Sequence, residues 1–290
     1  MQTRGPIVAG QFYPGQHDEC IDQMNGFIEP MELPEQLPGD IAVGIVPHAG
    51  WMFSGELAAM VFEAIRQQDD KVHTFVIFGA AHSYFSSQPA VYDRGSWATP
   101  LGEVAIDEDF ARAILDTGMV VSDVSAHHNE HSIEVQVPFI QYLFAGAKIV
   151  PILVPVVEGV ADLGLAVSSA IKAQDNKIVC IGSTDLTHYG PKYGFVPMGA
   201  GDGGLKWAHD VNDREFIDLA LKLETEAMLT NSVETGSACG GGAAATAVAA
   251  AKGLGKEQGL LLGHTNSNEV MRQKMGTISP ESVGYAAIVY

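Results

Sequence analysis

The chain has few basic residues, and this shortage narrows the range of partners. Its 290 residues include 16 Lys and Arg against 35 Asp and Glu, which gives a formal net charge of −19. Nucleic acids and anionic membrane surfaces both require a basic face, so the charge argues against either partner. No acidic run is dense enough to suggest a binding tail. The acidity is therefore interpreted as a solvated surface that aids solubility.

Cysteines and long apolar runs are also scarce. The three cysteines, Cys20, Cys180 and Cys239, are odd in number and widely spaced, which excludes a disulfide framework and suits a reducing compartment. The first ten residues lack a signal-like apolar stretch, and eighteen apolar residues never follow one another. We therefore expect a cytoplasmic protein without a membrane span. Because no linker or repeat divides the chain, residues 1–290 are predicted to form a single domain.

Short apolar runs rich in β-branched residues predict buried strands. Helical patterns separate several of these runs, and this alternation predicts an α/β fold with a mixed central sheet and helices on both faces. Pro151 interrupts one run and predicts an edge position or a bulge for its strand. The predicted strands are 41–46, 74–79, 148–154, 177–182, 259–263 and 283–289.

Capping residues predict where several helices begin. Ser54 is expected to cap a helix that runs to Ile65, and Asp107 one that runs to Leu115. Asn129 is expected to cap a helix that runs through Ile140 and places Glu130 and Glu134 on one face. An alanine-rich stretch over 243–251 predicts a tightly packed helix.

Three predicted strands are each followed by a histidine. His48, His82 and His188 come soon after the strands that end near positions 46, 79 and 182. Ligands of open α/β sheets bind beyond the carboxyl ends of the strands, where these side chains are expected to converge. One such residue alone is best interpreted as a hydrogen-bonded loop histidine, but three in equivalent places favour a common site.

Cys239 stands directly before the alanine-rich helix. The positive end of a helix dipole lowers the pKa of a thiol, so we expect Cys239 to favour the thiolate, which is a soft metal ligand. A structural role in tight packing is the alternative. Glu130 and His131 are interpreted as support for the pocket wall; the alternative is a second metal site, because His127 and His131 have helical spacing.

The ordered set of motifs resembles the MEMO family, whose archaeal and bacterial members are called AmmeMemoRadiSam system protein B. The similarity covers nearly the whole chain. The motifs are Ala9–Pro14, Val46–Gly50, Thr99–Gly102, Glu130–Glu134, Ser183–Gly190, Ala238–Gly240 and Ser282–Ala287.

The resemblance implies a fold like that of class III extradiol dioxygenases, and it implies the ligands of a metal site. Carried over by motif, the ligands are His48, His82 and Cys239, and Asp185 and His188 belong to the same site. In the dioxygenases the third ligand is a carboxylate, whose place Cys239 takes. Many relatives have a second histidine where this chain has Ser83.

These residues lead to a functional hypothesis with two alternatives. One metal ion, Fe(II) or copper and alternatively zinc, would be held by the three ligands. His188 would act as general acid or base with Asp185 orienting a histidine, while His131 and Trp51 line a pocket for a small, catechol-like substrate. The alternatives are a non-catalytic metal- or peptide-binding module and a zinc hydrolase. The family also implies a functional association with radical-SAM and AMMECR-type proteins.

Overall fold

The computed structural model describes residues 2–84 and 86–290, and short strands and helices alternate through much of this part of the chain. Its strands are β1 (Thr3–Arg4), β2 (Val43–Val46), β3 (Thr74–Ala80), β4 (Ala90–Val91), β5 (Ser96–Thr99), β6 (Gly102–Ala105), β7 (Val121–Ser122), β8 (Lys148–Val154), β9 (Ile178–Ser183), β10 (His188–Tyr189), β11 (Leu260–Asn266) and β12 (Ser282–Val289).

The helices differ widely in length. They are α1 (His17–Ile28), α2 (Trp51–Gln68), α3 (Glu108–Leu115), α4 (Val137–Leu143), α5 (Val160–Lys172), α6 (Asp202–Trp207), α7 (Arg214–Leu221), α8 (Thr225–Thr235), α9 (Gly241–Gly253) and α10 (Ser267–Met275). A π-helical segment, Ala208–Asp213, joins α6 to α7, and short 3₁₀ helices cover Ser125–His127, Glu134–Gln136 and Pro191–Tyr193.

A large mixed sheet positions the candidate site. Its strand order is β10-β12-β2-β9-β3-β8-β4-β7, and β11 also pairs with β12. The central strands β2, β9, β3 and β8 are parallel, while β12 and β4 run antiparallel on either side of them. The parallel strands end at one edge of the sheet, so the residues that follow β2, β3 and β9 lie close together.

Helices cover both faces of this sheet, because successive side chains of its central strands point in opposite directions. On β3, Phe75 and Ile77 join the core beneath α2, whereas Val76 and Phe78 join the core beneath α9. The predicted α/β architecture is thus confirmed. A smaller sheet, in the order β1-β5-β6, lies beside the main sheet.

Three local predictions were wrong for identifiable reasons. Ser54 lies inside α2, where its hydroxyl donates to the Ala49 carbonyl, and Gly50 stands at the helix N-terminus. The strand with Pro151 is interior, but its neighbour β4 pairs through two residues only and ends beside the proline. No helix begins at Asn129, because the Glu130 carboxylate accepts the backbone N–H groups of His131 and Ser132 that an Asn129 N-cap would accept.

Two other predictions were confirmed. Asp107 caps α3 through a hydrogen bond from the Phe110 backbone N–H, and the alanine-rich stretch forms α9.

Gly164 lets α5 approach α9 closely, since a Cβ atom at that position would overlap the Thr246 carbonyl oxygen. Among the described residues, no helix has both the length and the hydrophobicity that crossing a bilayer requires.

Candidate metal centre

His48 lies at the base of a cleft beyond the carboxyl ends of the parallel strands and is 2% exposed. Its backbone N–H donates to Asp185 Oδ1 at 2.7 Å, and its Nδ1 lies 3.1 Å from Ser183 Oγ. The parallel pairing of β2 with β9 brings these residues together. Burial lowers the pKa of His48 well below its usual value, and nearby His82 and His131 add to this effect. The ring is therefore neutral at pH 7 and able to bind a metal ion.

His82 follows β3, and a buried carboxylate holds it in place. Its backbone N–H donates to Glu130 Oε2 at 2.9 Å, and its Nδ1 lies 3.0 Å from Glu130 Oε1. Burial alone would raise the pKa of Glu130, but the hydrogen bond and positive charge of His82 lower it to about 2. Burial would likewise lower the pKa of His82, but Glu130 raises it. The carboxylate thus stays ionised and orients the ring.

His131 shares the same carboxylate. Its Nδ1 lies 3.6 Å from Glu130 Oε1, and its ring stacks on the His82 ring with centroids 4.9 Å apart. Ligand atoms of His48, His82 and His131 all lie within 4.8 Å of one another. Three imidazoles from separate segments therefore converge on one point, and this group can hold a metal ion.

Cys239 borders the same group of histidines. Its Sγ lies 3.1 Å from His48 Nε2 and 3.7 Å from the Asp185 carbonyl oxygen. Burial raises the pKa of the thiol, and the charge of Asp185 raises it further. The prediction that the helix dipole makes Cys239 a thiolate is therefore wrong for the protein side chains alone, because desolvation outweighs the dipole of α9. A bound metal ion would reverse this preference, since a coordinating thiol loses its proton.

Asp185 and His188 lie on the segment that follows β9. Asp185 Oδ1 accepts the backbone N–H groups of His48 and Ala49, so it positions His48 through the main chain. Burial raises the pKa of this carboxyl, and the nearby histidines oppose the change. His188 Nδ1 lies 3.0 Å from the Leu186 carbonyl oxygen, which fixes the tautomer with the proton on Nδ1. Its Nε2 is then free to accept a proton.

An open cavity of about 660 Å³ lies above these groups, within the usual size range for small-ligand pockets. Its wall is part polar and part aromatic. It is lined by Gln11, Phe12, His48, Ala49, Gly50, Phe53, His82, His131, Asp185, His188, Lys192, Tyr193, Ser267, Met271, Ser279, Glu281, Val283 and Tyr285.

Some placements were not foreseen from the sequence. Trp51 was expected to line the pocket, but it is 2% exposed and lies in the core behind the site, where its Nε1 donates to the Val135 carbonyl. Lys192 and Tyr193 line the cavity, although no role was assigned to them; their position just after the His188 motif was the available signal. The Ser183 hydroxyl also had no assigned role, yet it contacts the His48 ring.

The fold and the site together define a class: an α/β protein with a mixed sheet whose strand-end histidines can hold a metal ion. A family model described as Memo-like protein matches residues 4–289. MEMO1 family proteins of Thermococcus onnurineus and Thermococcus kodakarensis are each 39% identical to this chain and align over 99% of both chains. A MEMO1 family protein of Pyrococcus abyssi is 36% identical over 99% of this chain and 98% of its own. The chain therefore belongs to the Memo-like family and has its dioxygenase-like fold, as the resemblance predicted.

Proposed function

We propose that this chain binds one redox-active transition metal ion, Fe(II) or copper, and oxidises a small, catechol-like substrate in the cavity above it. The observation that carries the metal part is the arrangement of three imidazoles whose Nδ1 atoms each lie near an oxygen atom, of Ser183 for one and of Glu130 for two. Their Nε2 atoms are left to bind a common ion. Carboxylate–histidine pairs of this kind typically orient metal ligands in proteins.

The donor set fits a transition metal ion of intermediate softness. His48 and His82 supply imidazole nitrogens, Cys239 supplies the sulfur that replaces the carboxylate of the dioxygenases, and His131 is a further nitrogen donor. Imidazole suits iron, copper and zinc alike, and thiolate shifts the preference towards copper and zinc. A bound Fe(II) or copper ion would supply the redox chemistry that these side chains cannot perform.

The rest of the site binds the substrate and moves a proton. Phe12, Tyr193 and Tyr285 give the cavity aromatic walls suited to a planar ring, and Lys192 supplies a positive charge for a phenolate oxygen. His188, with its tautomer fixed by the Leu186 carbonyl, accepts a proton from a substrate hydroxyl through Nε2. The Asp185 carboxylate holds His48 in position by accepting a hydrogen bond from the His48 backbone N–H.

One observation favours a second candidate, a metal-binding protein without turnover. Three imidazoles converge, and a fourth donor, Cys239 Sγ, lies 3.1 Å from His48 Nε2 beside them. A site closed by four protein ligands leaves no position for substrate or dioxygen. In that case His131 and Cys239 both bind the ion. A zinc hydrolase is the third possibility, and it requires an open position on zinc.

Elemental analysis of protein purified without oxygen tests the metal site. We expect about one iron or copper ion per chain, and we expect His48→Ala and His82→Ala each to remove it. Separate Cys239→Ser and His131→Ala variants show which of the two completes the coordination. Exposed His128 provides the matched control, because His128→Ala should leave the metal content unchanged. Full metal content in both His48→Ala and His82→Ala would contradict the proposal.

Oxygen consumption by the metal-loaded protein tests the enzymatic part. With a panel of catechols, we expect oxygen uptake that His188→Gln decreases about 100-fold while the metal content is retained. Metal binding without oxygen uptake would favour the non-catalytic candidate. Zinc as the resident ion, together with ester or amide hydrolysis, would favour the hydrolase.

A further inference from the structure

A second group of ligand side chains lies near β11 and the π-helical segment. His209 and Asp213 are four residues apart in the π-helical segment, and His264 lies on β11. Ligand atoms of the three residues lie within 4.8 Å of one another. π-Helical turns are rare and often occur at functional sites. None of these residues belongs to the centre described above.

The spacing of the donor atoms matches a small coordination sphere. His264 Nε2 lies 3.4 Å from Asp213 Oδ2, and His209 Nε2 lies 3.7 Å from Glu269 Oε1. The two imidazole rings stack with centroids 4.2 Å apart. Tetrahedral zinc with metal–ligand distances near 2.1 Å separates neighbouring ligand atoms by about 3.4 Å. Both pairs are therefore close to the spacing that one ion would impose.

Within residues 2–84 and 86–290, no Lys or Arg forms an ion pair with the carboxylates of Asp213 and Glu269. Asp213 is 1% exposed, and among the ion pairs of residues 2–84 and 86–290 it has His264 as its partner, while Glu269 has His209. His209 Nδ1 is also buried without a hydrogen-bond partner in this part of the chain. A buried carboxylate is costly unless a charge or a metal ion compensates it. A divalent cation would neutralise both carboxylates.

We propose that His209, Asp213 and His264 bind a divalent transition metal ion of the zinc class, with Glu269 as the fourth ligand. Two nitrogens and two carboxylate oxygens would make a tetrahedral set closed by protein ligands, and closure of this kind distinguishes structural from catalytic zinc sites. The ion would join the π-helical segment to β11 and to the first turn of α10.

The site is connected to the segment that carries His188. Asp213 Oδ1 accepts the Thr187 backbone N–H at 3.0 Å, and the Asn212 side chain donates to the Thr187 hydroxyl. An ion that immobilises Asp213 would therefore also hold the chain next to His188 in place. The second metal ion is structural, and its presence does not depend on the function proposed for the first centre.

Zinc titration of the chelator-treated full chain tests the proposal. Calorimetry should give two ions for the native chain, one for His264→Gln, one for His48→Ala/His82→Ala, and none when the three substitutions are combined. His128→Gln, at an exposed histidine, is the matched control and should leave two. Circular dichroism checks that each variant is folded. Glu269→Gln provides a milder change and should weaken the second ion at least tenfold.

The outcomes separate the two sites. If His264→Gln and Glu269→Gln bind zinc with unchanged number and affinity, the second site is overturned. If a single ion is found and His264→Gln removes it, the second site is supported and the first centre is not a zinc site. In His48→Ala/His82→Ala, a hundredfold excess of zinc over its Kd should raise Tm by roughly 5 °C, and His264→Gln should abolish that increase.

Discussion

Glu130 is the residue through which the candidate centre can be tested without removing a donor. Its buried carboxylate accepts four hydrogen bonds, from the backbone N–H groups of His82, His131 and Ser132 and from the His82 ring. In Glu130→Gln one carboxylate oxygen becomes an NH₂ group, which cannot accept a hydrogen bond. Oε1 accepts three of the four hydrogen bonds, so the least costly arrangement places the NH₂ group at Oε2, opposite the His82 backbone N–H.

The magnitude follows from these contacts. One hydrogen bond is lost and three lose their charge assistance, so we expect Glu130→Gln to lower the free energy of unfolding by about 1–3 kcal/mol. The His82 ring also becomes a weaker base, because Glu130 raises its pKa. Loss of such a support typically weakens a metal site 10–100-fold, which corresponds to about 1.4–2.7 kcal/mol of binding free energy.

Glu134 provides the control, because it is a second buried carboxylate only four residues from Glu130. Its carboxylate is 1% exposed, pairs with Arg4 at 2.7 Å and accepts the backbone N–H groups of Ile7 and Val8. Glu134→Gln breaks a buried ion pair and should destabilise the fold by about 3–5 kcal/mol. The Glu134 carboxylate hydrogen-bonds none of the proposed ligands, so its loss should affect metal binding less.

The assay combines competition with a chelator, which gives metal affinity, and urea unfolding of the metal-free chain, which gives stability. We expect Glu130→Gln to lower affinity more than stability and Glu134→Gln to do the reverse. Equal losses of affinity in the two variants would refute the reasoning, as would unchanged affinity in Glu130→Gln.

Three further predictions concern stability and can be checked by urea or thermal unfolding. Burial lowers the pKa of His127 to about 4, so the unfolded chain binds the proton more tightly than the folded chain does. We therefore expect the free energy of unfolding to fall by about 3 kcal/mol as the pH decreases from 6.5 to 4. His127→Gln should remove this part of the pH dependence, and His128→Gln should not. Gly164→Val should cost at least about 2–3 kcal/mol, since a Cβ atom would lie 2.6 Å from Ala249 Cβ, whereas Gly26→Ala, in open space on α1, should add about 0.5–1 kcal/mol. Asp107→Ala should cost about 1 kcal/mol, because α3 loses its N-cap.

Hydrophobic patterning was enough to predict part of the site and six strands of the main sheet, namely β2, β3, β8, β9, β11 and β12. His48 and His82 could be brought together from the sequence, because both follow parallel strands and such strands end at one edge. Cys239 could be placed before α9 from the glycines and alanines that follow it.

The place of His131 could not be predicted in the same way. It lies in an irregular loop that the Glu130 carboxylate holds through the backbone N–H groups of His131 and Ser132, and residue spacing alone favoured a helix there. The group around His264 escaped for another reason. His264 is about fifty positions from His209 and Asp213 in the sequence, and a π-helical turn gives no hydrophobic period that would mark it.

The segment Ser183–His188 explains how the two groups of ligands relate to each other. Ser183 and Asp185 hold the ring and the backbone of His48, whereas Thr187 is held by Asp213 of the second group. His188 lines the cavity one residue beyond Thr187. One short, buried stretch of chain therefore connects the two groups, and we expect a shift of Asp213 to reach the His188 segment through the Thr187 hydrogen bond. The end of β9 therefore contributes to the geometry of the candidate centre through Ser183 and Asp185, which are not themselves proposed ligands.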